Sequence, residues 1–260
     1  WLNLAQDYGR MVDPPDGKDW RVMGGNPCLA GDTWVMTVDG PRQVLDLVDD
    51  QTDLLVNGRG YQSSGFWKTG EKHLYRLTFS DGRFVRVTGN HKILTDNDDW
   101  VEADQLEIGQ AVRVHNHAGF AWDGKGSFDD GYVSGLFLGD GSFQSDRATL
   151  CVWEQDTGTE QVKIEAERIV RGLGVGPSFR GWGGPFGNGW FRLSTNGLND
   201  LVESWGMSKG NKHISPRMEK EASSEFTRGF LRGLFDADGS VQGNQTKGVS
   251  VRLRQSSLSD

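Results

Sequence analysis

Long apolar runs are missing from this chain of 260 residues, so no segment reads as a membrane span, and no signal-peptide pattern opens it. Cysteine is scarce at 2 residues, which excludes a disulfide framework and the small secreted scaffolds built on one. Positive charge is in deficit: 28 Lys and Arg face 36 Asp and Glu, and the net charge of −8 weighs against a surface devoted to phosphate. These absences lead to the expectation of a cytoplasmic protein with no membrane partner; a monomer is expected. Glycine is plentiful, at 37 residues, which predicts many turns and close backbone approaches. The length suits one large domain or two modest ones.

Four segments differ in texture. Residues 1–27 begin mid-stream and carry the turn-rich Asp13-Pro14-Pro15-Asp16-Gly17. Residues 28–118 are rich in short β signals. Tyr75, Leu77 and Phe79 alternate with polar residues, Asp81-Gly82 marks a turn, and Val85 and Val87 resume beyond it, which predicts a hairpin. Residues 119–131, rich in Gly and Asp, read as a linker. From residue 132 to residue 260 the pattern is mixed α/β, with helices expected near 132–139, 159–173 and 219–237.

The last segment contains a repeat. Gly135-Leu136-Phe137-Leu138-Gly139-Asp140-Gly141-Ser142 returns as Gly233-Leu234-Phe235-Asp236-Ala237-Asp238-Gly239-Ser240, identical at six of eight positions. Gly135 and Gly139, and likewise Gly229, Gly233 and Ala237, recur every fourth residue, which makes a flat stripe on a helix. Two such stripes can pack at short range and bring Asp140 and Asp238 together at the seam. Paired carboxylates can hold a divalent cation and so support phosphodiester hydrolysis. The repeat resembles the double-motif LAGLIDADG homing endonucleases, with Leu138 standing where that family often has an acid. The resemblance implies double-stranded DNA as partner, Mg²⁺ as cofactor, Asp140 and Asp238 as metal-binding catalytic acids, and an assisting lysine before the second motif. Lys212 best fits that place, with Lys209 as a substitute. It also implies DNA-reading strands over 142–153 and 240–254, where Arg252 and Arg254 share one strand face and are candidates for phosphate or guanine.

A second constellation lies upstream. Cys28-Leu29-Ala30-Gly31-Asp32-Thr33 precedes a β-like run at 34–38 and a turn at Asp39-Gly40; Thr88-Gly89-Asn90-His91 and Trp100-Val101-Glu102-Ala103 follow. This arrangement resembles the N-terminal splicing region of inteins. The resemblance implies a mostly-β, horseshoe-like Hint splicing domain, followed here by the α/β endonuclease. Splicing needs no cofactor and acts on the chain's own flanking segments. In that chemistry Cys28 attacks the carbonyl of Pro27, exchanging an amide for a thioester. His91 is the candidate acid for the departing nitrogen, and Thr88 offers a hydroxyl to the oxyanion or to the scissile bond.

The flank adds a host. Asn26-Pro27-Cys28 resembles the active-site loop of adenosylcobalamin-dependent (class II) ribonucleotide reductases, so cobalamin is expected of the host alone. No Asn followed by Cys, Ser or Thr comes after Asp238, so the chain is read as stopping short of the last splicing residues. His115-Asn116-His117 mimics a nuclease motif, whose family spreads its residues over a longer finger, and an intein's C-terminal dipeptide, after which Cys, Ser or Thr would have to stand where His117 does; both are rejected, and Cys151 is read as strand packing. The rival readings are a Hedgehog-type autoprocessing protein, a free-standing endonuclease or maturase, and a non-catalytic chain, either a degenerate DNA-binding module or a ribonucleotide reductase fragment.

Overall fold

The computed structural model describes residues 27–115, 117, 119–154, 158–244, 246 and 248–253. The readings made for residues 1–26 and for Arg254 lie outside the described residues. The chain divides into two compact units at the Trp122/Asp123 boundary. Among the described residues no helix is long and apolar enough to cross a membrane.

The first unit is built of short antiparallel strands. β1 (Trp34–Thr37), β2 (Gly40–Gln43), β3 (Asp53–Val56) and β4 (Arg59–Gln62) form one sheet in the order β2-β1-β3-β4. β5 (Tyr75–Thr78) and β6 (Phe84–Val87) form the expected hairpin, and β7 (Lys92–Leu94) pairs with β8 (Trp100–Glu102). The turn after β1 depends on Gly40, whose φ of 99° favours glycine and whose missing Cβ leaves room for the Trp122 ring at 2.8 Å. Two small cores result. Val35, Leu47, Leu54 and Val56 fill one, and Val85, Val87 and Ala103 fill the other. Leu29, the residue after Cys28, packs against both and bridges to Val87.

The second unit has one large core around two helices, α1 (Phe128–Asp140) and α5 (Ser224–Asp238). Between them in sequence lie α2 (Thr159–Gly172), α3 (Asn196–Ser204) and the short α4 (Pro216–Glu221). β9 (Gly141–Phe143), β10 (Ala148–Trp153), β11 (Gly183–Phe186) and β12 (Trp190–Thr195) make a sheet in the order β11-β12-β10-β9. β13 (Gly239–Asn244) and β14 (Gly248–Leu253) pair separately after α5.

Helix α1 starts at Phe128, inside the stretch read as linker. Ser127 and Asp130 close a reciprocal capping box there, which satisfies N–H groups the hydrophobic pattern does not reveal. One expected helix, 219–237, is two. It breaks at Ala222-Ser223 because Ser223 is an N-cap whose hydroxyl accepts from Phe226 N–H at 3.0 Å.

Glycine makes the seam of α1 and α5. A Cβ on Gly131 would overlap the Phe226 carbonyl oxygen, and one on Gly229 the Phe128 oxygen; Gly135 and Gly233 stand in the same way to Phe230 and Tyr132. The contacts are thus exchanged by the internal repeat, as a two-fold relation between the halves requires. Backbones this close replace side-chain interdigitation with Cα–H to carbonyl contacts. Both helices end without an extra turn: Gly141 and Gly239 return their N–H groups to Phe137 and Phe235 carbonyls and pass straight into β9 and β13. Asp140 and Asp238 are therefore the last helical residue of each half.

Candidate functional sites

In the first unit Cys28 and Thr88 are held together by two hydrogen bonds. Thr88 N–H donates to the Cys28 carbonyl at 3.0 Å, and Cys28 N–H donates to Thr88 Oγ1 at 2.9 Å. The second bond places the hydroxyl on the nitrogen of the Pro27–Cys28 peptide. The Leu29–Val87 bridge delivers Cys28 to this place, since it aligns the strand end of β6 with the segment after the cysteine. His91 closes the same turn, its N–H donating to the Thr88 carbonyl at 3.0 Å. The ring is 4% exposed, and its Nδ1 has no hydrogen-bond partner among the described residues. Burial pushes its pKa down to about 4. At neutral pH His91 is thus an uncharged imidazole.

The sequence reading missed two groups on the sulfur. Thr69 Oγ1 lies 3.3 Å from Cys28 Sγ, and Lys72 Nζ donates to it at 3.4 Å. Both come from the irregular segment between β4 and β5, which has no periodicity to mark it. A cavity of about 540 Å³ in this unit, lined by Trp34, Val35, Leu54, Val85, Ile93 and His115 among others, does not include Cys28 or His91.

In the second unit Asp140 and Asp238 face each other across the ends of α1 and α5. A Cβ on Gly139 would stand 3.2 Å from an Asp238 carboxylate oxygen. Burial, and next the Asp238 charge, push the Asp140 carboxyl up to about 6, against the opposing pull of Lys212. Burial also raises Asp238, again opposed by Lys212. Lys212 Nζ donates to the Gly139 carbonyl at 3.1 Å and the Gly141 carbonyl at 2.8 Å, bracketing Asp140. Its half-buried ammonium is lowered by burial. Lys212, and not Lys209, is the lysine recorded on these carbonyls.

Cys151 lies on β10 and is half-buried; burial and then Asp140 push its thiol up, while Arg192 and Lys212 pull it down. Arg192 is its cross-strand partner on β12. Arg192 lies outside the strands expected to read DNA; Leu193 beside it is fully buried, so period-two alternation turns Arg192 to the other sheet face. Arg252 pairs with Ser240 in the β13–β14 hairpin and is exposed.

Among the described residues no group of three or more His, Cys, Asp and Glu gathers as for a metal. The donors at the seam are two carboxylates amid main-chain oxygens. This all-oxygen set, with negative charge that Lys212 only partly offsets, suits a hard cation that keeps most of its water.

Comparison with known proteins finds similarities of several kinds. Residues 225–259 match a LAGLIDADG-like domain. The chain is 23% identical over 262 residues to the ribonucleoside-diphosphate reductase NrdEB subunit alpha of Bacillus subtilis (strain 168), covering 90% of this chain and 24% of that protein. It is 37% identical over 108 residues to the replicative DNA helicase DnaB of Rhodothermus marinus, covering 38% of this chain and 11% of that one. The chain thus spans about a quarter of the reductase's length, and less of the helicase's. Among solved structures, a DnaB intein from Synechocystis sp. PCC 6803 is similar at 24% identity with a TM-score of 0.32, covering 38% of this chain and 75% of that one.

Proposed function

We infer that the chain is an intein set in a ribonucleotide reductase, a protein-splicing unit that carries a LAGLIDADG-type endonuclease. The observation that carries the splicing half is the paired hydrogen bonding of Cys28 and Thr88, which puts the Thr88 hydroxyl on the nitrogen of the Pro27–Cys28 peptide. Cys28 is the nucleophile toward the Pro27 carbonyl. Thr88 holds the departing nitrogen, and His91, uncharged at rest, takes up a proton in the reaction and passes it on. The substrates of this step are the chain's own flanks. The cobalamin expectation concerns the host and draws on no residue from Leu29 onwards.

The endonuclease half rests on the paired acids at a glycine seam whose contacts repeat symmetrically. Asp140 and Asp238 would hold Mg²⁺. Bound there, the cation would polarise a phosphate and lower the pKa of its water. Lys212 fixes the two carbonyls around Asp140 and keeps positive charge beside the acids. Arg192 and Arg252, each on the strand region following one motif, are proposed to meet double-stranded DNA, Arg252 at phosphate or guanine. Clustering of basic residues on these strands would let an acidic chain bind DNA.

The test joins both halves. The gene product with its host flanks is incubated with a strong thiol; release of residues 1–27 is expected, and Cys28→Ala should stop it. The same protein is given DNA bearing the uninterrupted host junction, where Mg²⁺-dependent cutting is expected. Release that persists in Cys28→Ala would remove the splicing assignment. Cutting that persists in both Asp140→Asn and Asp238→Asn would move the nuclease site elsewhere.

A further inference from the structure

We propose that Lys72 is a catalytic residue of the first splicing step, its ammonium holding the Cys28 thiolate while the Thr69 hydroxyl aims the sulfur. The proposal rests on the splicing reading above and adds to it a cation drawn from outside the Cys28 and Thr88–His91 segments.

Geometry brings both groups to one atom. Lys72 Nζ and Thr69 Oγ1 are 3.4 Å and 3.3 Å from Cys28 Sγ, although they lie more than 40 residues away in sequence. The segment that carries them is pinned at both ends. Phe66 bridges to Val48, and its carbonyl accepts from Asp49 N–H at 2.9 Å. At the other end Tyr75 opens β5 and packs on the Thr88–His91 turn, so that a Cβ on Gly89 would stand 3.0 Å from its ring. His73 meets Tyr75 edge-on, with ring centroids 5.3 Å apart. A segment tied at Phe66 and at Tyr75 returns its middle residues to the sulfur.

The chemistry needs such a group. A thiolate, not a thiol, attacks a carbonyl. Cys28 Sγ forms a bond to the Pro27 carbonyl carbon, and the carbon–nitrogen bond between Pro27 and Cys28 breaks. The thiol proton ends on the departing nitrogen, which becomes an amine, so atoms and charge balance with no oxidant or reductant. Between deprotonation and attack the sulfur carries a full negative charge. Lys72 keeps its own protons throughout and stabilises that charge. His91 is buried in its neutral form and cannot do so at rest. Thr88 is already engaged at the nitrogen.

Lys72 and Thr69 are exposed, so the effect is that of one solvated charge and shrinks in salt. The test is the rate of Cys28 alkylation by iodoacetamide at neutral pH in the 260-residue chain, with the Cys28 peptide quantified by mass spectrometry so that Cys151 does not contribute. Lys72→Ala should slow alkylation about 3- to 10-fold, as expected for loss of one nearby ammonium in water. Lys72→Arg should restore most of the rate, and about 1 M salt should shrink the difference between the parent and Lys72→Ala. Thiol-induced release of residues 1–27 should slow about 3- to 10-fold at neutral pH in Lys72→Ala. An unchanged alkylation rate in Lys72→Ala overturns the proposal, as does a loss that Lys72→Arg fails to restore. If alkylation slows in Lys72→Ala while even the parent never releases residues 1–27, the splicing reading fails and the ammonium–thiolate contact stands.

Discussion

Burial acts in opposite senses at the two candidate sites. In the strand-built unit it strips His91 of its positive charge, down to a pKa of about 4. In the helix-built unit it opposes the negative charge of Asp140, whose carboxyl rises to about 6 with Asp238 as a second cause. The first site thereby rests uncharged, while the second resists its own negative charge. The means of support differ too. Cys28, Thr88 and His91 hang on turn hydrogen bonds between two small cores. Asp140 and Asp238 are the terminal residues of two helices locked by backbone contact.

The seam is the easiest element to break. Gly135→Ala is expected to destabilise the second unit by about 3 kcal/mol or more, at the upper end for overpacking, because the new methyl meets the Phe230 carbonyl and helix backbones cannot yield as side chains do. Gly172→Ala, at an open position, serves as the control and should change stability by no more than about 0.5 kcal/mol. Hydrogen exchange resolved by peptide should show faster exchange over 128–140 and 224–238, with the hairpin at 75–87 untouched. Equal loosening of both regions would mean that the two units are not separately stabilised.

The titrations sharpen the contrast next. His91 has a lower pKa folded than unfolded, so the unfolded chain binds more protons between about pH 4 and 6.5. Its contribution is therefore full above about pH 6.5 and lost as pH falls toward 4, roughly 3 kcal/mol in all. Asp140 has a higher pKa folded than unfolded, so its part of the stability declines as pH rises from about 4 to 6. Peptide-resolved exchange between pH 4 and 7, corrected for intrinsic rates, should give protection that rises with pH over 84–94 and falls over 132–140. His91→Gln should flatten the first trend alone.

Function and stability should part at the acids. Asp140→Asn is expected to reduce DNA cutting more than about 100-fold, beyond the range typical of residues that only orient a metal ligand. The same change should make the second unit more stable at neutral pH, since it removes a half-buried charge facing Asp238. Paired cleavage and denaturation measurements decide this. A variant that loses activity and stability together points to structural damage.

The smallest effect is assigned to Lys212. Lys212→Met should slow cutting about 10- to 100-fold, the scale of a positioning group. It should also move the pH dependence of cutting upward, because the remaining cation opposing the Asp140 shift is gone. A slower enzyme with an unmoved pH profile would restrict Lys212 to holding the Gly139 and Gly141 carbonyls.

Much of this was legible in the sequence, for reasons that differ by residue. The repeat named both acids and the small-residue stripe, because close helix packing tolerates only glycine or alanine at every fourth position. The hairpin at 75–87 followed from alternation around Asp81-Gly82. Gly131 escaped notice, since the matched octapeptide begins four residues later. The helix start at Phe128 depended on the Ser127–Asp130 capping box, and the break at Ser223 on a hydroxyl cap.

What the sequence determined by itself is what local periodicity and repetition encode: two units of different texture, a hairpin over 75–87, and a duplicated helix ending in an acid. The tertiary structure decided which groups reach those atoms. Lys72 and Thr69 arrive at the Cys28 sulfur from an aperiodic segment, Lys212 arrives at the Gly139 and Gly141 carbonyls from more than 70 residues away, and Arg192 joins Cys151 only through strand pairing. Burial, which sets the charge on His91 and Asp140, is likewise a property of the assembled core. Hydrogen bonds and electrostatic fields depend on distance in space, and distance in space is fixed only when the chain has closed on itself.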